Sequence, residues 1–276
     1  MKYISVCLLL IGGIVHLNGQ YYYNDIIAIQ QVNKQYQLLK NNHISKVTAQ
    51  SFESNSMPTE NFMLSQNITD NAGKIVTISE FPSTGKSISI SYYENDRIVK
   101  TVDSSDNVAD TVLYVYDNNG NLETITTITD DSFMVSHSVE IHEWHYVNNQ
   151  PDYMLRIKDK TDTTYIRFVK DEQGIPAEEH WEKKGRKVES YYYYYNDVHQ
   201  LTDIVRFNLK AQRMLPDFLF GYNAEGRLVQ FTQIPQGSSD YLTWRYQYNT
   251  NGLRQKEICY NKQKQIVGRI EYTYQH

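Results

Sequence analysis

The stretch LYVYDNNGNLETI, residues 113–125, contains two strand-like segments separated by the tetrapeptide DNNG. Asp117 opens the turn, because its side chain can accept a hydrogen bond from the backbone two residues on. Gly120 tolerates the left-handed conformation that closes a bulged hairpin. Leu122 then restarts the alternation of apolar and polar residues. The stretch therefore predicts two antiparallel strands joined by a tight turn.

Similar turns recur along the chain. DNAG, DEQG, NAEG and NTNG begin at residues 70, 171, 223 and 249, and the weaker copies ENDR, VNNQ, NDVH and NKQK begin at 94, 147, 196 and 261. With the turn at 117 included, successive turns begin 23 to 30 residues apart, except for a final gap of 12. Looser turns fall near the midpoints, so each repeat is predicted to hold two strands and two turns. Where His199 or Lys264 replaces glycine, we expect backbone strain or another turn type.

Aromatic residues occupy alternate positions in the strands that enter these turns. Residues two apart share one face of a sheet, so neighbouring hairpins align them in aromatic rows. Such rows can stack on sugar rings or bind peptide side chains. The simpler alternative is that they only pack within the sheet. The candidate ligand-binding aromatics are Tyr114, Tyr116, Trp144, Tyr146, Tyr191, Tyr193, Tyr195, Phe220, Tyr222, Trp244, Tyr246 and Tyr248.

The repeats predict an all-β fold, an array of antiparallel β-hairpin repeats that forms an extended twisted sheet or an open solenoid. One hairpin alone is barely stable, so the array must fold as stacked neighbours. Ile29, Val32, Tyr36 and Leu39 lie at helical spacing. They predict a short helix over 25–41 that caps the open first edge of the sheet. A closed β-propeller is the structural alternative.

The N-terminus predicts export. Lys2 is followed by an apolar run over residues 4–15, too short to span a bilayer, and Gly19 offers a cleavage point. We predict a signal peptide at 1–19, a helical cap with the first strand at 20–60, and a hairpin-repeat domain at 61–276. The exported protein would reside in the periplasm, at the cell surface or outside the cell, with no transmembrane segment after cleavage.

A single cysteine remains beyond the predicted cleavage point. This is Cys259, which therefore has no partner for an internal disulfide. We expect a small buried apolar residue at this position, since an unpaired cysteine is more often a packing residue than a nucleophile.

The element Y-[D/N]-x-x-G-x-[L/I] occurs as YDNNGNL at 116–122 and YNAEGRL at 222–228. It resembles the YD repeat of Rhs-type secreted bacterial proteins, and the resemblance covers most of residues 66–274. The resemblance implies export from a bacterium and a β-rich array, in a short version without a toxin domain. It assigns no catalytic or binding residue.

Charge and motifs exclude several function classes. The net charge of −5 argues against nucleic acid as a main partner. No G-x-S-x-G, H-E-x-x-H, P-loop or Rossmann motif is present, so no enzyme is predicted. His137, His142 and His145 form the densest histidine cluster. Because His142 and His145 differ by three positions, they point to opposite faces of a strand, and no metal or other cofactor is predicted.

The acidic residues and one basic run each allow a functional and a structural interpretation. Glycoside hydrolysis needs two carboxyl groups at a defined separation, and solvated strand positions explain the same acidic residues more simply. The candidates are Glu140, Glu143, Glu178, Glu179 and Asp217. The basic run KKGRK at 183–187 is predicted to form the end of a solvent-facing turn. The alternative is that it binds acidic glycans or lipopolysaccharide.

Together these features predict a non-enzymatic exported or cell-surface repeat protein. It would present a Tyr-rich sheet for binding a polysaccharide or another envelope protein, without a cofactor. The alternatives are an envelope enzyme such as a glycan hydrolase, and a purely structural envelope protein.

Overall fold

The computed structural model describes residues 21–209, 211–235 and 238–276, so the predicted signal peptide at 1–19 lies outside the described residues. These ranges contain one α-helix, α1 (Asn24–Asn41), and eighteen β-strands. The first nine strands are β1 (Lys46–Glu53), β2 (Met63–Thr69), β3 (Lys74–Phe81), β4 (Gly85–Glu94), β5 (Arg97–Ser105), β6 (Val108–Tyr116), β7 (Leu122–Asp131), β8 (Ser136–Val147) and β9 (Gln150–Lys158). The other nine are β10 (Asp162–Lys170), β11 (Pro176–Lys183), β12 (Arg186–Tyr195), β13 (Leu201–Asn208), β14 (Arg213–Tyr222), β15 (Leu228–Gln233), β16 (Leu242–Tyr248), β17 (Arg254–Asn261) and β18 (Ile266–Gln275).

The strands form one closed antiparallel barrel. Each strand pairs with the strand before it and the strand after it, and β18 pairs with β1 from Lys46 opposite Gln275 to Glu53 opposite Gly268. The prediction of an extended sheet or open solenoid is therefore wrong, and so is the propeller alternative. In an open array, the backbone N–H and C=O groups at the edges of the two end strands would be exposed without partners. Pairing β1 with β18 gives these groups hydrogen-bonding partners.

Eight of the nine predicted turns follow even-numbered strands and close hairpins at one end of this barrel, which we call the DNNG end. The ninth, NKQK at 261–264, follows β17 and lies at the opposite end. In the turn after β6, Asp117 Oδ1 accepts hydrogen bonds from the backbone N–H groups of Asn119 and Asn121, and Gly120 has φ +84°. The hairpin after β12 has His199 at the glycine position with φ 59°. His199 therefore adopts the left-handed conformation that glycine tolerates best, and the expected strain is present there.

The helix lies across the DNNG end of the barrel. Beyond its N-terminus, the ring of Tyr21 contacts Tyr193 of β12, and towards its C-terminus Tyr36 stacks on Tyr93 of β4 with 3.9 Å between ring centroids. These two strands are eight apart in a ring of eighteen, so they face each other across the barrel. Eighteen helical residues span about 27 Å, a length suited to such a crossing. The helix covers a mouth of the barrel and not a sheet edge, which corrects its predicted role.

Inward-facing residues form the core. Along β16, Trp244 and Tyr246 are buried inside, whereas Arg245 and Gln247 are exposed on the outside. Cys259 is fully buried, as expected for a small apolar residue. The alternation of apolar and polar residues along the strands has therefore become the division between the inside and the outside of the barrel.

Candidate functional site

A groove of about 750 Å³ lies at the DNNG end, between α1 and the turns that follow β4, β6 and β8. Its polar lining consists of Gln30, Gln31, Asn33, Lys34, Gln37, Asn95, Asp96, Arg97, Asn121, Asn149 and Gln150. Its apolar and aromatic lining consists of Tyr23, Ile26, Ile27, Ile29, Tyr116, Leu122, Tyr146 and Pro151. Carboxamide side chains thus make up most of the polar lining.

Helical periodicity produces one wall of this groove. Ile29 and Tyr36 are buried towards the barrel, so Gln30, Lys34 and Gln37 project from the opposite face and are exposed. Asn33, which lies between the two faces, accepts a hydrogen bond of 2.8 Å from the backbone N–H of Ile98. The amide-rich face of the helix is therefore held in register with β5.

A second contact fixes the C-terminal half of the helix. Lys40 Nζ lies 2.9 Å from an oxygen of Asp96 in the turn after β4. The hydrogen bond and the charge of Asp96 raise the pKa of Lys40. Both groups are substantially exposed, so the pair orients the helix against the turn more than it stabilises the fold.

The opposite wall and floor contain two tyrosines from the aromatic rows. Tyr116 and Tyr146 are partly buried, and burial raises the pKa of both hydroxyl groups. They therefore remain neutral near pH 7 and donate hydrogen bonds to backbone carbonyls of neighbouring strands. The guanidinium group of Arg97 lies 5.5 Å from the ring of Tyr116. A Cβ at Gly120 would meet this guanidinium, so a larger residue there would displace the flexible end of Arg97, and the φ angle of +84° itself favours glycine.

The structure places the twelve predicted ligand-binding aromatics inside the barrel wall. Six are less than a tenth exposed, and these are Tyr114, Trp144, Tyr191, Tyr193, Trp244 and Tyr246. The other six are partly buried, and these are Tyr116, Tyr146, Tyr195, Phe220, Tyr222 and Tyr248. Only two of the twelve, Tyr116 and Tyr146, line the groove. The aromatic rows therefore form the core of the barrel, and the groove offers ligand access to two of their members.

Glu179, a candidate acid–base residue, is fully buried and anchors the segment that precedes α1. One carboxylate oxygen accepts hydrogen bonds from the backbone N–H of Tyr22 at 2.8 Å and from Trp181 Nε1 at 2.5 Å. The other accepts from the backbone N–H of Tyr23 at 2.9 Å and from the Tyr193 hydroxyl at 2.5 Å. Burial raises the pKa of Glu179, and these four donors oppose that rise. The carboxyl group therefore acts as a structural anchor.

His142 forms a second link between the helix and the wall. Its Nδ1 lies 2.7 Å from Asp25 and its Nε2 lies 3.0 Å from Glu140, which also pairs with Arg156. Burial alone would lower the pKa of His142, but the two carboxylates outweigh it and raise the pKa to about 9. Burial likewise acts to raise the pKa of Glu140, yet His142 and Arg156 lower it to about 2.

The remaining candidates lie apart from one another. His145 stacks on Tyr153 on the outer face, on the opposite side of β8 from His142, and His137 pairs with Asp130. In residues 21–209, 211–235 and 238–276, no group of three or more His, Cys, Asp or Glu side chains could hold a metal ion. His142 and His145 thus diverge as their spacing predicts.

The acidic candidates do not converge either. Asp217 pairs with Arg206 at 2.8 Å, and Glu178 pairs with His180 at 2.8 Å. Glu143 lies next to the inward-facing Trp144 and therefore on the outer face. Among the described residues that line the groove, Asp96 is the single carboxylate.

The carboxamides of the groove were not among the predicted site residues. Two signals in the sequence point to them. Gln30, Lys34 and Gln37 recur at helical spacing opposite the apolar face of α1, and Asn95, Asn121 and Asn149 belong to or directly follow successive DNNG-end turns. Connecting the two sets requires knowing that the helix lies over these turns, which depends on tertiary structure.

Comparison with known proteins adds distant likenesses in fold. No family model matches the chain, and no curated protein does. A porin-like protein from Bacteroides uniformis ATCC 8492 is 10% identical, with 84% of this chain and 96% of that chain covered and a TM-score of 0.40. A porin-like protein from Bacteroides vulgatus ATCC 8482 is 11% identical over 84% and 98%, with a TM-score of 0.20. The TcdB2-TccC3-Cdc42 structure is 11% identical over 86% of this chain but 17% of that one, with a TM-score of 0.20. Likenesses this distant carry no argument about function. No helix among the described residues has the length and apolarity needed to cross a membrane.

Proposed function

We propose that this protein is an exported, non-enzymatic binding protein that holds a segment of a polysaccharide in the groove at the DNNG end. The observation that carries the proposal is the lining, where carboxamides from the helix and from three turns surround Tyr23, Tyr116 and Tyr146. Each carboxamide both donates and accepts hydrogen bonds, as each sugar hydroxyl group does. Aromatic rings complement the apolar faces of sugar rings.

The shape of the barrel favours a saccharide over an extended peptide. Peptides frequently bind by adding a strand to an exposed sheet edge. In this barrel β1 and β18 pair with each other, so the end strands offer no such edge within the described residues. The groove lining also contains more hydrogen-bonding side chains than apolar ones, which suits a hydroxyl-rich ligand.

The groove does not favour hydrolysis. A glycosidase positions two carboxyl groups on either side of the scissile bond. The one carboxylate of the described lining, Asp96, is already paired with Lys40. Export and membership of the YD-repeat proteins remain parts of the proposal, supported by the predicted signal peptide and by the turn motif.

The test begins with the purified protein on an array of bacterial and host polysaccharides, followed by calorimetric titration of each glycan that binds. We expect Gln30→Ala combined with Gln37→Ala to weaken binding at least about tenfold, since two hydrogen-bonding side chains are removed. Gln247→Ala is the matched control, because Gln247 is an exposed glutamine on the outer face of β16. If no glycan binds, or if the groove variant binds as the control does, the proposal fails and a purely structural role gains support.

A further inference from the structure

An exposed apolar patch lies near the end of the barrel opposite the groove. Its members are Val188 of β12, Phe207 of β13, Leu209 in the following turn and Met214 of β14, and we call it the far-end patch. Their side chains are 57%, 45%, 78% and 40% exposed, respectively. Large apolar residues scattered singly over a surface need no explanation, but a group on three neighbouring strands does.

Strand geometry brings these residues together. Phe207 and Met214 are direct partners across β13 and β14, and Phe207 follows the inward-facing Arg206, so both lie on the outer face. Trp181 pairs with Glu189 and Glu182 pairs with Lys187, which leaves Val188 as the extra residue of a β-bulge in β12. A bulge re-aims the side chains beside it, and Val188 projects into solvent.

Positive charge surrounds the far-end patch. Lys184, Arg186, Lys187 and Arg213 are all exposed, and they lie in or directly after the two turns that border it. The glycine between the first two, Gly185, has no atom within 4 Å of where its Cβ would be, so this turn is open to solvent.

The neighbouring carboxylates leave most of these cations uncompensated. Asp162 pairs with Lys183 at 2.6 Å, and both Glu189 and Asp217 pair with Arg206 inside the barrel wall. Glu182 lies directly opposite Lys187 on the neighbouring strand. The far-end patch therefore combines apolar exposure with a net positive charge.

We infer that the far-end patch docks onto the surface of a bilayer that carries anionic phospholipid headgroups. Apolar side chains at such a surface enter the boundary between headgroups and acyl chains, while lysine and arginine extend towards the phosphates. The inference is independent of the saccharide proposal. It also orients the molecule, because the groove at the DNNG end then faces away from the membrane.

A second apolar tip of the barrel provides a matched control. Phe133, Met134 and Val135, in the turn between β7 and β8, are 79%, 70% and 89% exposed. This tip lies beside Asp130 and Asp131, and Asp131 accepts hydrogen bonds from the backbone of Phe133 and Met134. Its apolar exposure is at least as large as that of the far-end patch, but acidic residues flank it, so an anionic surface does not favour it.

The test is cosedimentation of the purified protein with two kinds of vesicles, phosphatidylcholine alone and phosphatidylcholine mixed with phosphatidylglycerol. We expect binding to the mixed vesicles only, and weaker binding as salt rises. Val188→Ser with Leu209→Ser, and separately Lys184→Glu with Lys187→Glu, should each weaken binding roughly tenfold. Phe133→Ser with Met134→Ser should bind as the unmodified protein does. Circular dichroism checks that every variant is folded.

Three results would overturn the inference. The first is equal binding to neutral and anionic vesicles, or binding to neither. The second is loss of binding in the Phe133 and Met134 variant to the same extent as in the far-end variants. The third is a dimer in solution that the Leu209 substitution dissociates, which would assign the far-end patch to contacts between two copies of this chain.

Discussion

The hydroxyl group of Tyr146 donates a hydrogen bond of 2.7 Å to the carbonyl oxygen of Leu122. Tyr146 lies just before one DNNG-end turn, and Leu122 lies just after the preceding one. The same relationship recurs in Tyr116 to Ile98, Tyr195 to Pro176, Tyr222 to Leu201 and Tyr248 to Leu228, at 2.6 to 2.8 Å. Tyr274, near the end of β18, donates the corresponding hydrogen bond of 2.6 Å to Arg254. The tyrosine of the repeated motif therefore fastens successive turns to each other.

This role predicts a loss of stability when the hydroxyl group is removed. Tyr146→Phe and Tyr248→Phe should each lower the free energy of unfolding by about 0.5–1.5 kcal/mol, the usual net value of such a hydrogen bond. Equilibrium denaturation in urea measures the change. Tyr194→Phe is the control, since Tyr194 is 52% exposed and should change stability by less than about 0.5 kcal/mol. Equal effects in all three variants would show that the hydrogen bonds do not fasten the turns.

These tyrosines show how far the sequence predicts the fold. The motif correctly indicates hairpins and aromatic rows on one strand face, and the spacing of Ile29, Val32, Tyr36 and Leu39 predicts the helix within one residue at its start. Both signals are local, because the residues that set each hairpin or helical turn lie within a few positions of one another. Local periodicity and turn chemistry therefore suffice for the elements.

Closure and the groove depend on contacts between distant parts of the chain. Thr48 and Thr273 are Cα partners although they lie 225 positions apart in the sequence, and no local motif distinguishes this pairing from two open edges. Asn33 meets Ile98 only because the helix crosses the barrel. For the same reason the sequence indicates that one strand face is aromatic but not that this face points into the barrel. Because most of these side chains are buried there, only two of the twelve predicted aromatics line the groove.

The buried Glu179 anchor predicts a specific weakness. Glu179→Gln replaces one acceptor oxygen with an NH₂ group, which cannot accept the hydrogen bonds that its two donors supply. We expect a loss of about 1–3 kcal/mol in the free energy of unfolding. Hydrogen exchange should also accelerate at the backbone amides of Tyr22 and Tyr23.

Glu172→Gln is the control. It removes the same negative charge as Glu179→Gln, but Glu172 is exposed and takes no part in the anchor. Unchanged exchange at Tyr22 and Tyr23 in the Glu179 variant would mean that the carboxylate does not hold the segment before the helix.

The His142 cluster predicts a stability maximum in mildly acidic solution. The folded pKa of His142 is about 9 against an ordinary 6.5, so its contribution is complete below pH 6.5 and is lost as pH rises through 9. The folded pKa of Glu140 is about 2 against 4.5, so its contribution is complete above pH 4.5 and is lost as pH falls towards 2. Thermal unfolding should therefore show the highest Tm between about pH 4.5 and 6.5.

Comparison with His142→Gln isolates this cluster from other titrating groups. The difference in Tm between the two proteins should be largest below pH 6.5 and should shrink as pH rises through 9, because above that pH both carry a neutral side chain at position 142. A difference that stays constant across this range would contradict a charged His142 in the folded protein.

Closure of the barrel beneath the helix is the central claim, since it creates the mouth on which the groove is built. Thr48→Cys combined with Thr273→Cys tests it directly, because these residues are Cα partners in β1 and β18 and paired strands place Cα atoms within disulfide range. Under mild oxidation we predict a high yield of intramolecular disulfide, identified by mass spectrometry of the digested protein. If the two cysteines instead remain reduced or cross-link only between molecules, β1 and β18 do not meet, and the closed barrel is contradicted.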